Sequence, residues 1–358
     1  MRKKYLDNIR WITVVLVVLY HVIFMYNSVE TSLVIGPFAQ VQYQDILLYL
    51  VYPWFMLLLF VVSGMSAAFY LEKHSGKEFV KSRTVKLLVP STIGLFVFQW
   101  IQGYFSMGIN GALESMASAP GLVKWLIMVL SGQGVLWFAQ LLWFFSLLLV
   151  LIRKIDKGRL YERCKRANML TLLLLTIAVW GASLILNVPV IEVYRVGIYG
   201  LGFLIGYFVM SHEEVMDKLE QWWLPLSIAA VMLAVIFTVT YWGDNYASHA
   251  VLDTLLCNVF AWITVLAVLS FMKKWGDYET TFTKWMSRHS WGLYVFHYLM
   301  ISACAYYLKV YVTDMPVVLY YLINAVVAFG GAYILNAIIS RIPFIRWCVL
   351  GLGKSAKR

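Results

Sequence analysis

Arg10 and His21 stand in one apolar run, RWITVVLVVLYH, with ten residues between them. Eleven helical steps turn about 1,100°, three turns plus roughly 20°, so both side chains point along one helix face. The same steps rise about 16–17 Å, roughly half of a ~30 Å hydrocarbon core. An imidazole titrates near neutrality, so His21 suits a general base. Titratable groups inside an apolar span are costly and mark a functional site by default. Taken alone, His21 equally fits a histidine bonded to a neighbouring helix. Arg10 equally fits an interfacial anchor paired with Asp7, three residues before it.

Other candidates extend the set. Arg83 and Lys86, in KSRTVKLLVP, are three apart at a helix start. Two cations on one side of a helix suit a phosphate-bearing ligand, or anionic lipid. His297, in SWGLYVFHYLMI, is read about two turns into a late span, where it lines the same cavity or packs structurally. His249 and Asp253 are four apart at the outer end of another span and suit a shared proton, a polar acceptor or a solvated rim pair. His74, His212 and His289 read as surface groups. The four cysteines, Cys164, Cys257, Cys304 and Cys348, have no metal-ligand or disulfide spacing, so no metal site is expected.

The elements that must position these groups are membrane helices. The chain is 62% hydrophobic and 13% charged, against about 45–50% and 25% in soluble domains. Its mean hydropathy is +0.76. The first apolar run carries Arg10 and His21 and lacks a small-residue cleavage site, so it reads as a span rather than a removable signal peptide. Ten apolar segments follow the helical template: 9–27, 46–71, 86–105, 134–152, 169–187, 195–210, 223–242, 250–272, 289–308 and 316–340. The expected fold is an all-α, polytopic membrane bundle of about ten transmembrane helices. Pro53 is expected to kink the second, and Pro90 to sit near the start of the third.

Charge fixes the expected orientation. The two ends and the even-numbered loops hold 26 of the 29 Lys and Arg; only Lys124, Arg195 and Lys309 fall on the other side. Both termini are therefore expected in the cytoplasm. The net charge of +11 then reflects this bias, and no nucleic-acid partner is expected. Residues 1–340 read as one transmembrane domain, and 341–358 as a basic cytoplasmic tail on the inner leaflet. Residues 122–130 are too short to span and read as interfacial or re-entrant. Gly202 and Gly206 form a small-xxx-small pair for close helix packing. No soluble catalytic domain is evident, so any chemistry belongs inside the bundle.

With these residues in hand, the chain resembles the acyltransferase-3 family of membrane acyltransferases along its full length. KYLDNIRWITVVLVVLYHVIFMYNS resembles the family's first helix and its Arg-x10-His motif. FMLLLFVVSGMSAAFYL resembles the second, with a turn at Ser63–Gly64, and KSRTVKLLVP the Arg-x-x-Arg and proline that follow, with Lys86 in place of the second arginine. LWFAQLLWFFSLLLVL and WGLYVFHYLMI also resemble family helices, with Leu299 where a proline often follows the histidine. The LD-x-IR opening is most similar to the glucan biosynthesis protein C branch, which transfers succinyl groups.

The resemblance implies transfer of a short acyl group, acetyl or succinyl, from cytoplasmic acyl-CoA to a hydroxyl of an extracytoplasmic glycan or glycolipid. Acyl-CoA would be a co-substrate and no cofactor would be bound. His21 and Arg10 would be catalytic, Arg83 and Lys86 would bind the donor, and His297, His249 and Asp253 are candidate cavity-lining residues. Membrane lipids are expected partners and a bacterial inner membrane the expected location. The alternative is a proton-coupled transporter or flippase of a polar or lipid-linked substrate, with His21 as the coupling group.

Overall fold

A computed structural model of the chain describes residues 3–29, 34–188, 193–312 and 314–353. The described residues are helical, without β-strands; one isolated bridge joins Asn187 and Arg195. The principal helices are α1 (Lys4–Phe24), α2 (Ile46–Leu71), α3 (Gly76–Arg83), α4 (Trp100–Ile109), α5 (Gly121–Ser131), α6 (Trp137–Asp156) and α7 (Met169–Ser183). They continue with α8 (Val196–Ile205), α9 (Glu213–Glu220), α10 (Trp223–Tyr241), α11 (Leu255–Trp275), α12 (Thr281–Tyr311), α13 (Val317–Ile339) and α14 (Pro343–Leu350).

Seven described helices are long and apolar enough to cross a membrane: α1, α2, α6, α10, α11, α12 and α13. Each of the ten expected segments is at least partly helical, but three fall short of that length as single helices. α7 has 15 residues, and α8 has 10 before it widens over Gly206–Met210. The third segment is broken. α3 runs into a wide turn at Thr84–Leu88, the chain bends, and a second wide turn at Leu95–Gln99 leads into α4. Pro90 is the cause: it has no N–H to donate, and its ring crowds the carbonyl four residues earlier, at Lys86. The Val89 N–H therefore reaches back five residues to the Thr84 carbonyl (3.0 Å). Gln140 on α6 donates to the Ser91 carbonyl at the bend (2.8 Å). Irregular backbone at such depth is tolerated only when its polar groups find partners of this kind.

Two other expectations change. Gly64 lies within α2, which runs unbroken through Pro53, so no Ser63–Gly64 turn occurs there. α12 begins at Thr281, earlier than expected, because Thr280 caps it: its Oγ1 accepts from the Thr283 N–H (3.1 Å). Its 31 residues span about 46 Å, which sets His297 near mid-helix.

The described residues pack as two compact units. One draws on 1–13, 48–80 and 144–287, the other on 14–47, 81–143 and 288–358. In the first, α2 and α8 touch backbone to backbone. A Cβ at Gly64 would collide with the Phe203 carbonyl, and one at Gly206 with the Val61 carbonyl. The expected small-residue contact is thus real, and Gly64 is the partner that spacing alone did not reveal. Neither obstacle is a flexible side-chain tip, so Gly64→Ala is expected to cost about 3 kcal/mol, the upper end for overpacking. Loss of the monodisperse peak in detergent, with thermal unfolding shifted down by several degrees, checks this. On α10, Val231, Val235 and Val239 are exposed at intervals of four, as a lipid-facing stripe would be.

In the second unit, α14 is no loose tail. Cys348, Val349 and Leu350 are buried, and the Leu350 carbonyl accepts from the Trp291 indole (3.1 Å). Gly351 closes the helix with φ +65° and lies directly on the Val85 carbonyl and the Lys86 backbone. The described part of 341–358 therefore packs onto its unit; residues 354–358 lie outside the described residues.

Candidate active site

The site grows from α1 and α12, within the second unit. His21 and His297 face each other, with His297 Nε2 3.2 Å from His21 Nδ1 and ring centroids 5.0 Å apart. His297 is fully buried. Its Nδ1 lies 2.8 Å from the Tyr294 carbonyl and 3.2 Å from that of Leu293. A carbonyl only accepts, so the His297 proton belongs on Nδ1, leaving Nε2 with a lone pair. His21 Nδ1 lies 2.8 Å from the Val17 carbonyl, one turn back on α1. The same logic places the His21 proton on Nδ1, shared between the Val17 carbonyl and His297 Nε2. Among the described residues, His21 Nε2 is then the uncommitted lone pair of the pair.

Aromatic and polar groups frame the two rings. Tyr298 and Tyr20 each pack edge-on to His21, with ring centroids 5.0 Å away. Tyr294 anchors α12 by donating to the Val135 carbonyl. A cavity of about 10 Å³ borders Tyr298, Gly134, Gln99 and Gln102, room for about one water-sized group. Gln102, 2% exposed, donates to Ser106 Oγ (2.9 Å) and Ser302 Oγ (3.0 Å). Its carbonyl Oε1 is buried with no hydrogen-bond partner among the described residues. A buried acceptor left in this state costs about 1–3 kcal/mol. Gln102 and Ser302 were absent from the sequence-derived set; the signal for them was a polar amide and a hydroxyl inside apolar runs.

α1 is unbroken from Lys4 to Phe24, so the expected register of Arg10 and His21 holds along it. Arg10 belongs to the first unit, where its guanidinium pairs with Asp7 Oδ1 (2.6 Å) and bonds Ser66 Oγ on α2. Arg83 ends α3, and Lys86 falls in the wide turn beyond it, with an exposed side chain. The two therefore lie where α3 passes into the wide turn, rather than at a helix start.

His249 and Asp253 do meet, at 3.4 Å, but His249 begins a separate one-turn helix ahead of α11. Arg195, 3% exposed, joins them 3.9 Å from Asp253 and donates to the Leu252 carbonyl (3.2 Å). Together with Trp180, which donates to the Asp253 carbonyl (3.0 Å), they tie the 249–253 turn into the first unit. His297, not this pair, partners His21. His212 is a correction: only 6% exposed, it lies 4.2 Å from the Tyr161 ring. The adjacent wide turn draws residue 212 under the 159–164 helix, which hydropathy alone does not reveal.

A family model described as an acyltransferase domain matches residues 3–337, which takes in every residue of the histidine site. No curated protein and no solved structure matches the chain.

Proposed function

This chain belongs to the acyltransferase-3 family and is an acyltransferase with membrane-crossing helices, and on that premise we propose that it transfers a short acyl group from cytoplasmic acyl-CoA to a hydroxyl of an extracytoplasmic glycan or glycolipid. The observation that carries the reading is the His21–His297 pair, with its one uncommitted lone pair at His21 Nε2. In the base route, Nε2 takes the acceptor hydroxyl's proton as the oxygen attacks the thioester carbonyl. The carbon–sulfur bond breaks, and the proton passes to the departing thiolate. In the covalent route, Nε2 attacks the thioester carbonyl and the thiolate leaves; the acceptor hydroxyl then takes the acyl group from the acyl-imidazolium, imidazole departs, and the hydroxyl proton passes to the thiolate. In both, positive charge builds on His21, and His297 Nε2 accepts from its Nδ1–H.

Gln102 lines the cavity beside Tyr298, and its unpartnered Oε1 is proposed as the acceptor for an entering hydroxyl. Gln102→Leu is expected to keep the fold and lower kcat/KM for the glycan acceptor at least tenfold; an unchanged value assigns Gln102 to packing alone. Arg83 and Lys86 are proposed to bind the polyanionic donor from the inner side. The positive-inside pattern supports ten spans with both termini cytoplasmic, as in a bacterial inner membrane. The LD-x-IR opening is most similar to the branch of glucan biosynthesis protein C, and acetyl and succinyl donors are both to be assayed. Purified protein in proteoliposomes, given labelled acetyl- or succinyl-CoA and a glycan acceptor, should move label to the glycan. Glycan flux with no covalent product would instead support the transporter alternative.

A further inference from the structure

The first unit holds a cavity of about 560 Å³ between the ends of α2 and α6, the loop after α6, and the wide turn after α8. That volume is typical of a small-molecule site. Its buried floor is apolar and aromatic: Ala68, Leu71, Tyr207 and Phe208. Its rim is basic: Arg153, Lys154 and Lys157. The Arg153 guanidinium sits 5.9 Å from the centre of the Tyr207 ring, a cation held over the floor. Two carboxylates also line the cavity, Glu72 and Asp156. Asp156 is already engaged, its Oδ1 accepting from the Leu160 N–H at 2.7 Å. Three cations thus face two carboxylates, an excess of one positive charge. Lys157 is one of only two non-glycine residues at positive φ (+50°) among the described residues, a strained conformation found preferentially at functional sites.

We propose that this cavity binds a phosphate ester, its phosphate on Arg153, Lys154 and Lys157 and its flat or apolar body on Tyr207 and Phe208. Separate cations suit the several acceptor oxygens of a phosphate better than the two of a carboxylate. Two sources supply that chemistry: the adenosine 3′,5′-bisphosphate end of an acyl-CoA, which rests on the donor reading above, or the headgroup of an anionic phospholipid, which does not.

The test uses the full chain and two probes. Adenosine 3′,5′-bisphosphate binding is measured calorimetrically in phospholipid-free detergent. Phosphatidylglycerol retention is measured by native mass spectrometry after reconstitution in phosphatidylglycerol-containing nanodiscs. Arg153→Ala and the double variant Lys154→Glu/Lys157→Glu are compared with wild type; both lysines are exposed, so the double variant keeps the fold. At least tenfold weaker binding in the first arm assigns the site to the nucleotide. Loss of retained phosphatidylglycerol in the second assigns it to lipid, and upholds the site even where acyl-CoA proves not to be the donor. Variants that match wild type in both arms overturn the proposal, and the donor reading then stands or falls on its own transfer assay.

Discussion

Replacing His21 with alanine is expected to lower acyl transfer about 10²- to 10⁴-fold, with the fold intact. The side chain removed carries the one lone pair that the histidine pair leaves free, while its Nδ1 is committed to Val17 and His297. α1 loses only a terminal ring: its backbone ladder is untouched, and alanine is the best helix former. Steady-state transfer from labelled acyl-CoA, with size exclusion and thermal unfolding as fold controls, checks the expectation. A pre-steady-state burst of enzyme-bound label in wild type would assign the covalent route; product without a burst would assign the base route. Full transfer by folded His21→Ala removes His21 from the chemistry altogether.

The second large effect is expected at His297. It touches no substrate in this account; it positions His21 and receives the hydrogen bond of the imidazolium that forms. His297→Leu removes that acceptor from a fully buried position and is expected to lower kcat by 10²-fold or more, on the order of 3 kcal/mol of transition-state stabilisation. His297→Gln puts an amide oxygen near the place of Nε2 and is expected to recover at least tenfold of the loss. A role in packing alone predicts the opposite order, since leucine suits an apolar interface better than glutamine. The loss should appear in kcat with little change in KM for the donor, because no donor contact is removed.

Parts of this arrangement were readable in the residues, and parts were not. The limits of α2 follow directly from its length of uninterrupted apolar residues, since a helix hydrophobic all round needs no partner to declare its ends. The shared face of Arg10 and His21 follows from helical period alone. That His297 would be the partner of His21 does not, because 276 residues separate them and only tertiary packing of α1 on α12 brings them together. Spacing instead drew attention to His249 and Asp253, which are local neighbours, with Asp253 pairing with Arg195. The break at Pro90 was partly legible: proline announces an interruption. Whether it begins a helix or unwinds one depends on distant groups, Gln140 at the Ser91 carbonyl and Gly351 against Lys86. Gln102 was hidden for a related reason. An amide in an apolar run reads as an isolated exception until the cavity beside it is seen.

The central claim is that His21 and His297 act as one proton-handling unit, and a double-mutant cycle in the transfer assay tests it most directly. Rates are compared for wild type, His21→Ala, His297→Leu and the double variant, all verified as folded. The account predicts a double variant no slower than His21→Ala alone, since His297 has no task once its partner is gone. A double variant slowed by the product of the two single losses would contradict it, for the two histidines would then be acting independently.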